Sequence, residues 1–236
     1  MKKSTYYFIL AAAILTWYTP ASAQTETTDI GVIINDVIWA ARNVGAPGTF
    51  AANPEDAGMF YQWNRSIGWS TTDPIINSDN DSIWNGLDVY IDNDGILNRP
   101  VVDDNTWEKV NDPCPSGWRL PTNTEFESLI SFDNKWTTLN GVNGRIFSSD
   151  TNSLFLPAVG HRKWNGSLHS VNEFGYYFSS NIDNHYIDFL VFDSNLVLAK
   201  TFNYYMEGVS VRCVADNALK AKEKSSILEQ KGKVKQ

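Results

Sequence analysis

Cysteine, histidine and basic residues are all scarce in this sequence of 236 residues. The only two cysteines, Cys114 and Cys213, exclude a disulfide-dense miniature protein and a cysteine-rich zinc site, and three histidines argue against a histidine-rich metal centre. Lysine and arginine number 19 against 27 acidic residues, and a net charge of −8 argues against a nucleic-acid binder. Hydrophobic residues make up 42% of the chain, enough for a folded core.

No apolar run reaches the roughly 20 residues that span a bilayer. The run from Tyr6 to Trp17 follows Lys2 and Lys3, and it is followed by the small residues Ala21-Ser-Ala23. A short positive segment, an apolar stretch and a small-x-small cleavage site are typical of an export signal. We therefore expect residues 1–23 to be a signal peptide, with an uncleaved membrane anchor as the alternative, and the protein to reach the periplasm, the cell surface or the medium.

The rest of the chain divides into a linker, a body and a basic tail. Residues 24–30 are interpreted as the linker, residues 31–215 as one domain, and residues 216–236 as a lysine-rich tail that is poorly ordered or forms a short helix. The first 23 residues hold two lysines, and the tail holds six lysines and three acidic residues. Residues 24–215 therefore carry a net charge of −13.

Two segments of the body carry a clear secondary-structure pattern. The β-branched run from Gly31 to Ala40 predicts a strand. A helix is predicted to begin at Thr122, because Pro121 precedes it and Glu125 follows at the capping-box spacing. Three apolar residues at helical spacing then predict one buried stripe: Phe126, Leu129 and Ile130.

Short strands are predicted after the helix, at Leu154–Leu156, Gly175–Phe178, Tyr186–Phe192 and Gly208–Val214. In the last of these, apolar and polar residues alternate from Val209 to Cys213, which predicts a strand with one buried face. Residues from Thr71 to Asn105 are dense in Asp, Asn and Gly, which predicts a long irregular region. Few helices and many short strands indicate one α+β domain.

Metal-binding and catalytic motifs are not found in the sequence. Asp92, Asp94 and Gly95 imitate part of a calcium loop, but Tyr90 and Val101 stand where an EF-hand has its first and twelfth ligands. Bound calcium and solvated turns are both interpretations of this acidic stretch, and we assign no metal ligand. The histidines lack the H-E-x-x-H spacing, and no G-x-S-x-G, P-loop or dinucleotide fingerprint is present. We expect no enzyme activity and no cofactor.

Six segments resemble, in order, the Fibrobacter succinogenes major paralogous domain of exported bacterial proteins. They are Val37-Ile-Trp-Ala-Ala-Arg-Asn-Val-Gly45, Gly58-Met-Phe-Tyr-Gln-Trp63, Asn111-Asp-Pro-Cys-Pro-Ser-Gly-Trp-Arg-Leu-Pro-Thr122, Leu154-Phe-Leu-Pro-Ala-Val-Gly-His-Arg162, Gly175-Tyr-Tyr-Phe-Ser-Ser180 and Gly208-Val-Ser-Val-Arg-Cys-Val214. Asn64 departs from the glycine that often follows the tryptophan in that family.

The segment Trp118-Arg-Leu-Pro-Thr122, with Glu125 and Phe126, is also similar to the formylglycine-generating enzyme family. Through it the resemblance implies a C-type-lectin-like fold, with an irregular, mostly antiparallel sheet, one or two helices and long loops that carry ligand-binding variation. Those enzymes use two cysteines close together near the end of the chain, where this sequence has only Cys213. The resemblance therefore implies the fold more strongly than the activity.

The two cysteines are expected to form a disulfide bond, because they lie in a chain that carries an export signal. A reactive thiol is the alternative. The aromatic content of 13% invites a glycan-binding hypothesis, since indole rings stack on sugars. Trp39, Trp63 and Trp118 are expected in the core.

Ligand-binding candidates are expected on loops, in two regions. The first is the Trp69–Trp84 region, where burial under a loop is an equal alternative. The second is the loop from His161 to His169, in which a tight turn at Gly166 is expected to present five exposed side chains: Arg162, Lys163, Trp164, Asn165 and His169. We expect replacement of Trp164 or Arg162 to leave folding near normal. The positive charge of this loop suggests an acidic sugar or a carboxylate-bearing partner, and a solubilising surface hairpin is the alternative.

The sequence supports three hypotheses about function. The first is a non-catalytic binding module of the periplasm or cell surface, whose partner is a glycan or a surface protein. The second is a structural or accessory subunit of a surface assembly such as a fimbria. The third is an enzyme of the formylglycine-generating or glycosidase type, which would require converging carboxylates in a pocket.

Overall fold

The computed structural model describes residues 29–84, 106–183, 186–202 and 207–216, together with the strands Tyr90–Ile91 and Leu97–Asn98. Short strands dominate this part of the chain, which belongs to the α+β class with one α-helix and long loops. The helix α1 spans Asn123–Ile130, and a 3₁₀ turn spans Lys109–Asn111. The predicted signal peptide, most of the linker, the tail beyond Asp216 and the acidic stretch around Asp92 lie outside the described residues.

The strands in chain order are β1 (Val32–Ile34), β2 (Val37–Trp39), β3 (Met59–Tyr61), β4 (Gly68–Ser70), β5 (Tyr90–Ile91), β6 (Leu97–Asn98), β7 (Trp118–Arg119), β8 (Asp133–Leu139), β9 (Val142–Ser148), β10 (Ser153–Pro157), β11 (His161–Arg162), β12 (Leu168–His169), β13 (Gly175–Asp183), β14 (Tyr186–Phe192), β15 (Val197–Phe202), β16 (Val209–Ser210) and β17 (Val214–Ala215). The largest sheet has the order β15-β14-β13-β16-β3-β4. A second sheet has the order β1-β2-β17-β7, and a third β10-β9-β8.

The run from Gly31 to Ala40 is a hairpin, and the prediction of a single strand is wrong. The strand β1 pairs antiparallel with β2, and Ile34 stands opposite Val37. The two residues between them, Asn35 and Asp36, both have positive φ angles, which is the conformation of a two-residue hairpin turn. Asn and Asp tolerate that conformation better than other non-glycine residues, so this pair ends the strand.

Asp29, which the sequence analysis placed in the linker, is joined to this first sheet. Its buried carboxylate accepts hydrogen bonds from the backbone N–H groups of Gly31 and Ala41 and forms an ion pair with Arg42 at 3.2 Å. The packed structure therefore includes at least Asp29.

The helix α1 begins as predicted. The Thr122 hydroxyl accepts a hydrogen bond from the backbone N–H of Glu125, and the Glu125 carboxylate accepts one from the backbone N–H of Thr122. Arg119 donates to both carboxylate oxygens of Glu125, at 2.7 and 2.9 Å, so this carboxylate is held by structure at the start of the helix. Burial opposes ionisation of Glu125, but these hydrogen bonds and the charge of Arg119 outweigh it and lower the pKa of the carboxyl.

The largest sheet has buried side chains on both of its faces. Along β14, Ile187, Phe189 and Val191 enter one apolar cluster, which also contains Trp63 and Trp118. The alternate residues Leu190 and Phe192 enter a second cluster, with Trp39 and the helix residues Phe126 and Leu129. Burial of Trp39, Trp63 and Trp118 is confirmed.

The segment Gly208–Val214 is buried on both sides, and the prediction of one exposed face is wrong. Its polar residues Ser210 and Arg212 are fully buried. The Arg212 guanidinium donates to Asn43 Oδ1 and to the backbone carbonyls of Ala40 and Phe155. The segment also contains two short strands, β16 and β17, which belong to different sheets, so it links the sheets instead of forming one strand.

The disulfide bond between Cys114 and Cys213 is confirmed, with the Cα atoms 6.0 Å apart. Both cysteines lie in the first apolar cluster, where β17 and the segment before β7 meet. Within the described residues, no helix is both long enough and apolar enough to span a membrane.

Candidate functional site

The residues from His161 to His169 form a short hairpin, which we call hairpin 161–169. Strand β11 pairs with β12 so that His161 stands opposite His169 and Arg162 opposite Leu168. The turn is closed by hydrogen bonds from the N–H of Lys163 to the carbonyl of Ser167 and from the N–H of Gly166 to the carbonyl of Lys163. Gly166 has a φ of +83°, so the predicted tight turn at this glycine is confirmed.

The prediction that Arg162 is an exposed binding group is wrong, since the residue is fully buried. Its guanidinium donates to the carbonyls of Ser70, Thr72 and Gly166 at 2.8, 2.6 and 2.6 Å, and it forms an ion pair of 3.1 Å with Asp73. Because a buried charge needs a full set of partners, the side chain turns towards these carbonyls instead of solvent. Arg162 therefore fastens hairpin 161–169 to the loop of residues 70–74.

Trp164 lies at the tip of hairpin 161–169 and is 62% exposed. Its backbone carbonyl accepts a hydrogen bond of 2.9 Å from the indole N–H of Trp84. The neighbouring Asn165 side chain accepts hydrogen bonds from the backbone and hydroxyl of Ser167, which orders the turn. The exposed indole is therefore carried on a turn that is held at several points.

The Trp69–Trp84 region packs against hairpin 161–169 through Trp84. Trp69 lies on strand β4 and is 3% exposed, so the prediction of a loop residue is wrong at this position. Trp84 is half-buried, packs edge-on against Trp69 with ring centroids 4.9 Å apart, and contacts the backbone at Gly166 and Gly208. A Cβ at Gly208 would lie 2.8 Å from the Trp84 ring, so glycine is required for this close approach. Burial, the alternative kept open for this region, describes Trp69.

The other face of β11 carries a cluster of titratable side chains. His161 Nε2 lies 3.2 Å from a carboxyl oxygen of Glu207, and Tyr176 packs edge-on against the His161 ring. The exposed His169 ring lies 5.4 Å from that of His161 between centroids. We call this set, together with Lys163, the histidine face. It lies on the side opposite Arg162, because successive residues of a strand point to opposite sides.

Burial makes both members of the His161–Glu207 pair neutral near pH 6. Burial lowers the pKa of His161 to about 4, and the charges of His169 and Lys163 act in the same direction. Burial raises the pKa of Glu207 to about 7 against the opposing charge of Lys163. Between these two values both side chains of this 3.2 Å contact are neutral, and Glu207 gains its charge as the pH rises through about 7.

Comparisons with family models, with curated proteins and with solved structures find no match to this chain. The resemblance to the Fibrobacter succinogenes major paralogous domain therefore stays a prediction.

The sequence analysis did not select His161 or Glu207 as site residues. Glu207 is far from hairpin 161–169 in sequence, and it reaches His161 because the backbones of Arg162 and Gly208 exchange two hydrogen bonds of 2.8 Å. No local motif marks this pairing. The one available signal is the alternation along β11, which places His161 and Arg162 on opposite sides.

Metal ligands are not brought together in the part of the chain that the structure describes. No group of three or more His, Cys, Asp or Glu side chains there has a geometry that could hold a metal ion. At the start of the acidic stretch, Asn77 Oδ1 accepts hydrogen bonds from the backbone N–H groups of Asp79 and Asp81. These contacts are those of an Asx turn, the solvated-turn alternative for this segment.

Proposed function

We propose that the protein is an exported, non-catalytic binding module with a C-type-lectin-like fold, and that it binds a saccharide through hairpin 161–169. The fold assignment is supported by the short antiparallel strands, the one described helix and the long loops. The export assignment is supported by the sequence of residues 1–23 and by the disulfide bond, which persists in oxidising compartments.

The observation that carries the proposal is the exposure of Trp164. Trp164 is 62% exposed on a turn that hydrogen bonds order, and tryptophan is enriched at binding interfaces because its ring is apolar and its N–H can donate a hydrogen bond. The turn is fixed by the hydrogen bond from Trp84 and by Arg162, so little conformational entropy is lost on binding. Lys163 and Asn165 flank Trp164 in the turn, and His169 stands opposite His161 at the base of the hairpin; these side chains supply hydrogen-bonding groups for sugar hydroxyls.

The test is a glycan array probed with the native protein and with W164A. The native protein is expected to retain a subset of saccharides, and W164A is expected to bind them at least tenfold more weakly, since a central tryptophan commonly contributes about 2 kcal/mol to binding. V110A is the matched control, because Val110 is 81% exposed and lies on the 3₁₀ turn. An array without binding, or equal binding by W164A, would contradict the proposal.

A structural subunit of a surface assembly is the second candidate, and it is supported by strand β15. Among the described strands, only β14 pairs with β15, which forms one edge of the largest sheet. Leu198 on this strand is 41% exposed, and an edge strand with an apolar side chain favours strand addition by another protein. In this case sedimentation velocity should show concentration-dependent assembly that L198K prevents. A monomer at all concentrations argues against self-assembly through β15.

A further inference from the structure

The histidine face combines two cationic or proton-donating groups with one carboxyl that is uncharged in mildly acidic solution. Lys163 is half-buried in the turn and His169 is exposed on β12, whereas His161 is 5% exposed and Glu207 is half-buried behind them. Tyr176, from β13, closes the cluster against the His161 ring. Among the described residues, His161 from β11 and Lys163 from the turn act directly on Glu207, and His169 from β12 and Tyr176 from β13 lie against the His161 ring.

The charge of Glu207 acts on the same lysine that a ligand would use. Lys163 is close enough to Glu207 for its positive charge to favour ionisation of the carboxyl. By reciprocity, an ionised Glu207 attracts the ammonium group of Lys163 and competes with any external anion. When Glu207 is protonated this competition ends, and Lys163 can donate its hydrogen bonds elsewhere.

We propose that the histidine face binds the carboxylate of an acidic sugar through Lys163 and His169, and that protonation of Glu207 governs the affinity. This inference rests on the proposed function, because Trp164, the residue after Lys163, supplies the stacking surface for the sugar ring. Residues 24–215 carry a net charge of −13, so a patch with local positive charge is needed to attract an anion to this body. The adjacent indole favours a saccharide over an acidic peptide, since a sugar ring offers a face for stacking.

The experiment is isothermal titration calorimetry of the full protein with trigalacturonic acid and with its uncharged methyl ester, at pH 6 and pH 8. At pH 6 the free acid is expected to bind about tenfold more tightly than the ester, because its carboxylate accepts charge-assisted hydrogen bonds that the ester cannot accept as strongly. Raising the pH to 8 should weaken binding of the acid about fivefold, a coupling at the low end of the usual range, and should leave the ester unaffected.

Three variants separate the contributions of the individual groups. K163M should bind the acid more weakly than the native protein does at pH 6, and its affinity for the acid should be the same at both pH values. E207Q should bind the acid at pH 8 as tightly as the native protein does at pH 6. H169Q is the control, and it should weaken binding of the acid at both pH values while keeping the pH effect.

Failure of this inference can be told from failure of the proposed function. If the ester binds through Trp164 and the acid binds no more tightly, the inference is overturned and saccharide binding stands. A pH effect that survives in E207Q but disappears in H169Q also overturns it. If hexaglutamate binds and neither sugar does, the patch serves acidic peptides, and both the inference and the saccharide proposal are wrong.

Discussion

At the scale of single residues, the His161–Glu207 pair predicts an unusual dependence of stability on pH. In the folded protein the pair holds one proton between about pH 4 and pH 7, and this proton is on Glu207. In the unfolded chain, with ordinary pKa values of 6.5 for histidine and 4.5 for glutamate, the pair holds one proton between these values, and it is on His161. Both states bind the same number of protons from pH 4.5 to 6.5. The pair therefore adds no pH dependence to the free energy of unfolding in this range.

When either partner is replaced, the remaining residue is expected to make the free energy of unfolding depend on pH. In E207Q, unfolding lets His161 bind a proton below pH 6.5, so stability relative to the native chain should fall as the pH drops from 6.5 towards 4. In H161Q, unfolding lets Glu207 release a proton above pH 4.5, so relative stability should fall as the pH rises from 4.5 to 7. Each change should amount to about 1 kcal/mol after allowance for solvent screening.

Urea unfolding of the three proteins at pH 4.5, 5.5, 6.5 and 7.5 measures this directly. The two variants should differ from the native chain by slopes of opposite sign. Parallel profiles for all three proteins would show that the pair does not exchange its proton on folding.

At the scale of elements, Arg162 holds hairpin 161–169 against the loop of residues 70–74. The guanidinium satisfies three backbone carbonyls and one carboxylate from within the fold. R162M keeps the aliphatic stem but leaves these acceptors without a donor, so it should reduce the free energy of unfolding by about 3 kcal/mol. W164A, two residues away and exposed, should change it by no more than about 0.5 kcal/mol.

Equilibrium unfolding in urea compares these two variants under the same conditions. If R162M were as stable as W164A, the backbone hydrogen bonds between Arg162 and Gly208 would be enough to hold the hairpin, and the side chain would be dispensable. The contrast matters for binding assays, because loss of binding in W164A can be interpreted only if the hairpin remains folded.

The elements that the sequence predicts well are those fixed by neighbouring residues. The start of helix α1 follows from Thr122 and Glu125, which bond to each other across three residues. The turn at Gly166 likewise follows from one residue. The hairpin of β8 and β9 was not predicted, although Asn140 and Gly141 at its turn form a typical hairpin pair and both have positive φ angles.

The orientation of Arg162 could not be predicted, because it depends on residues that are distant in the chain. Alternation along β11 separates His161 from Arg162, but it does not say which side faces the interior. That choice is made by the carbonyls of the loop at residues 70–74, about ninety positions earlier. The same holds for Glu207, whose partner His161 is set by a bridge between Arg162 and Gly208. Long-range polar contacts of this kind leave no local pattern.

At the scale of the whole molecule, the disulfide bond joins the segment before helix α1 to the last described strand region. Cys114 and Cys213 are 99 positions apart, and they bring β7 and β17 together at the side of the first apolar cluster. In the chain-entropy account, closing a loop of this length restricts the unfolded chain by about 4–5 kcal/mol. This single bond thus accounts for a large part of the 5–15 kcal/mol by which a domain is usually stable.

Replacing both cysteines, in C114A/C213A, should therefore lower the free energy of unfolding by about 4–5 kcal/mol. The two alanine side chains leave little space unfilled, so the loss comes mainly from the greater conformational entropy of the unfolded chain without the bond. Urea unfolding of the native protein with and without a reductant should show the same difference, and the reductant should have no effect on the double variant. Intact-mass measurement of the unreduced native protein should give a mass lower than that of the reduced form by two hydrogen atoms. If a thiol reagent labelled the unreduced, denatured protein, the cysteines would be free and the bond would be contradicted. If the bond is present but its loss costs little stability, the unfolded chain is already compact without it.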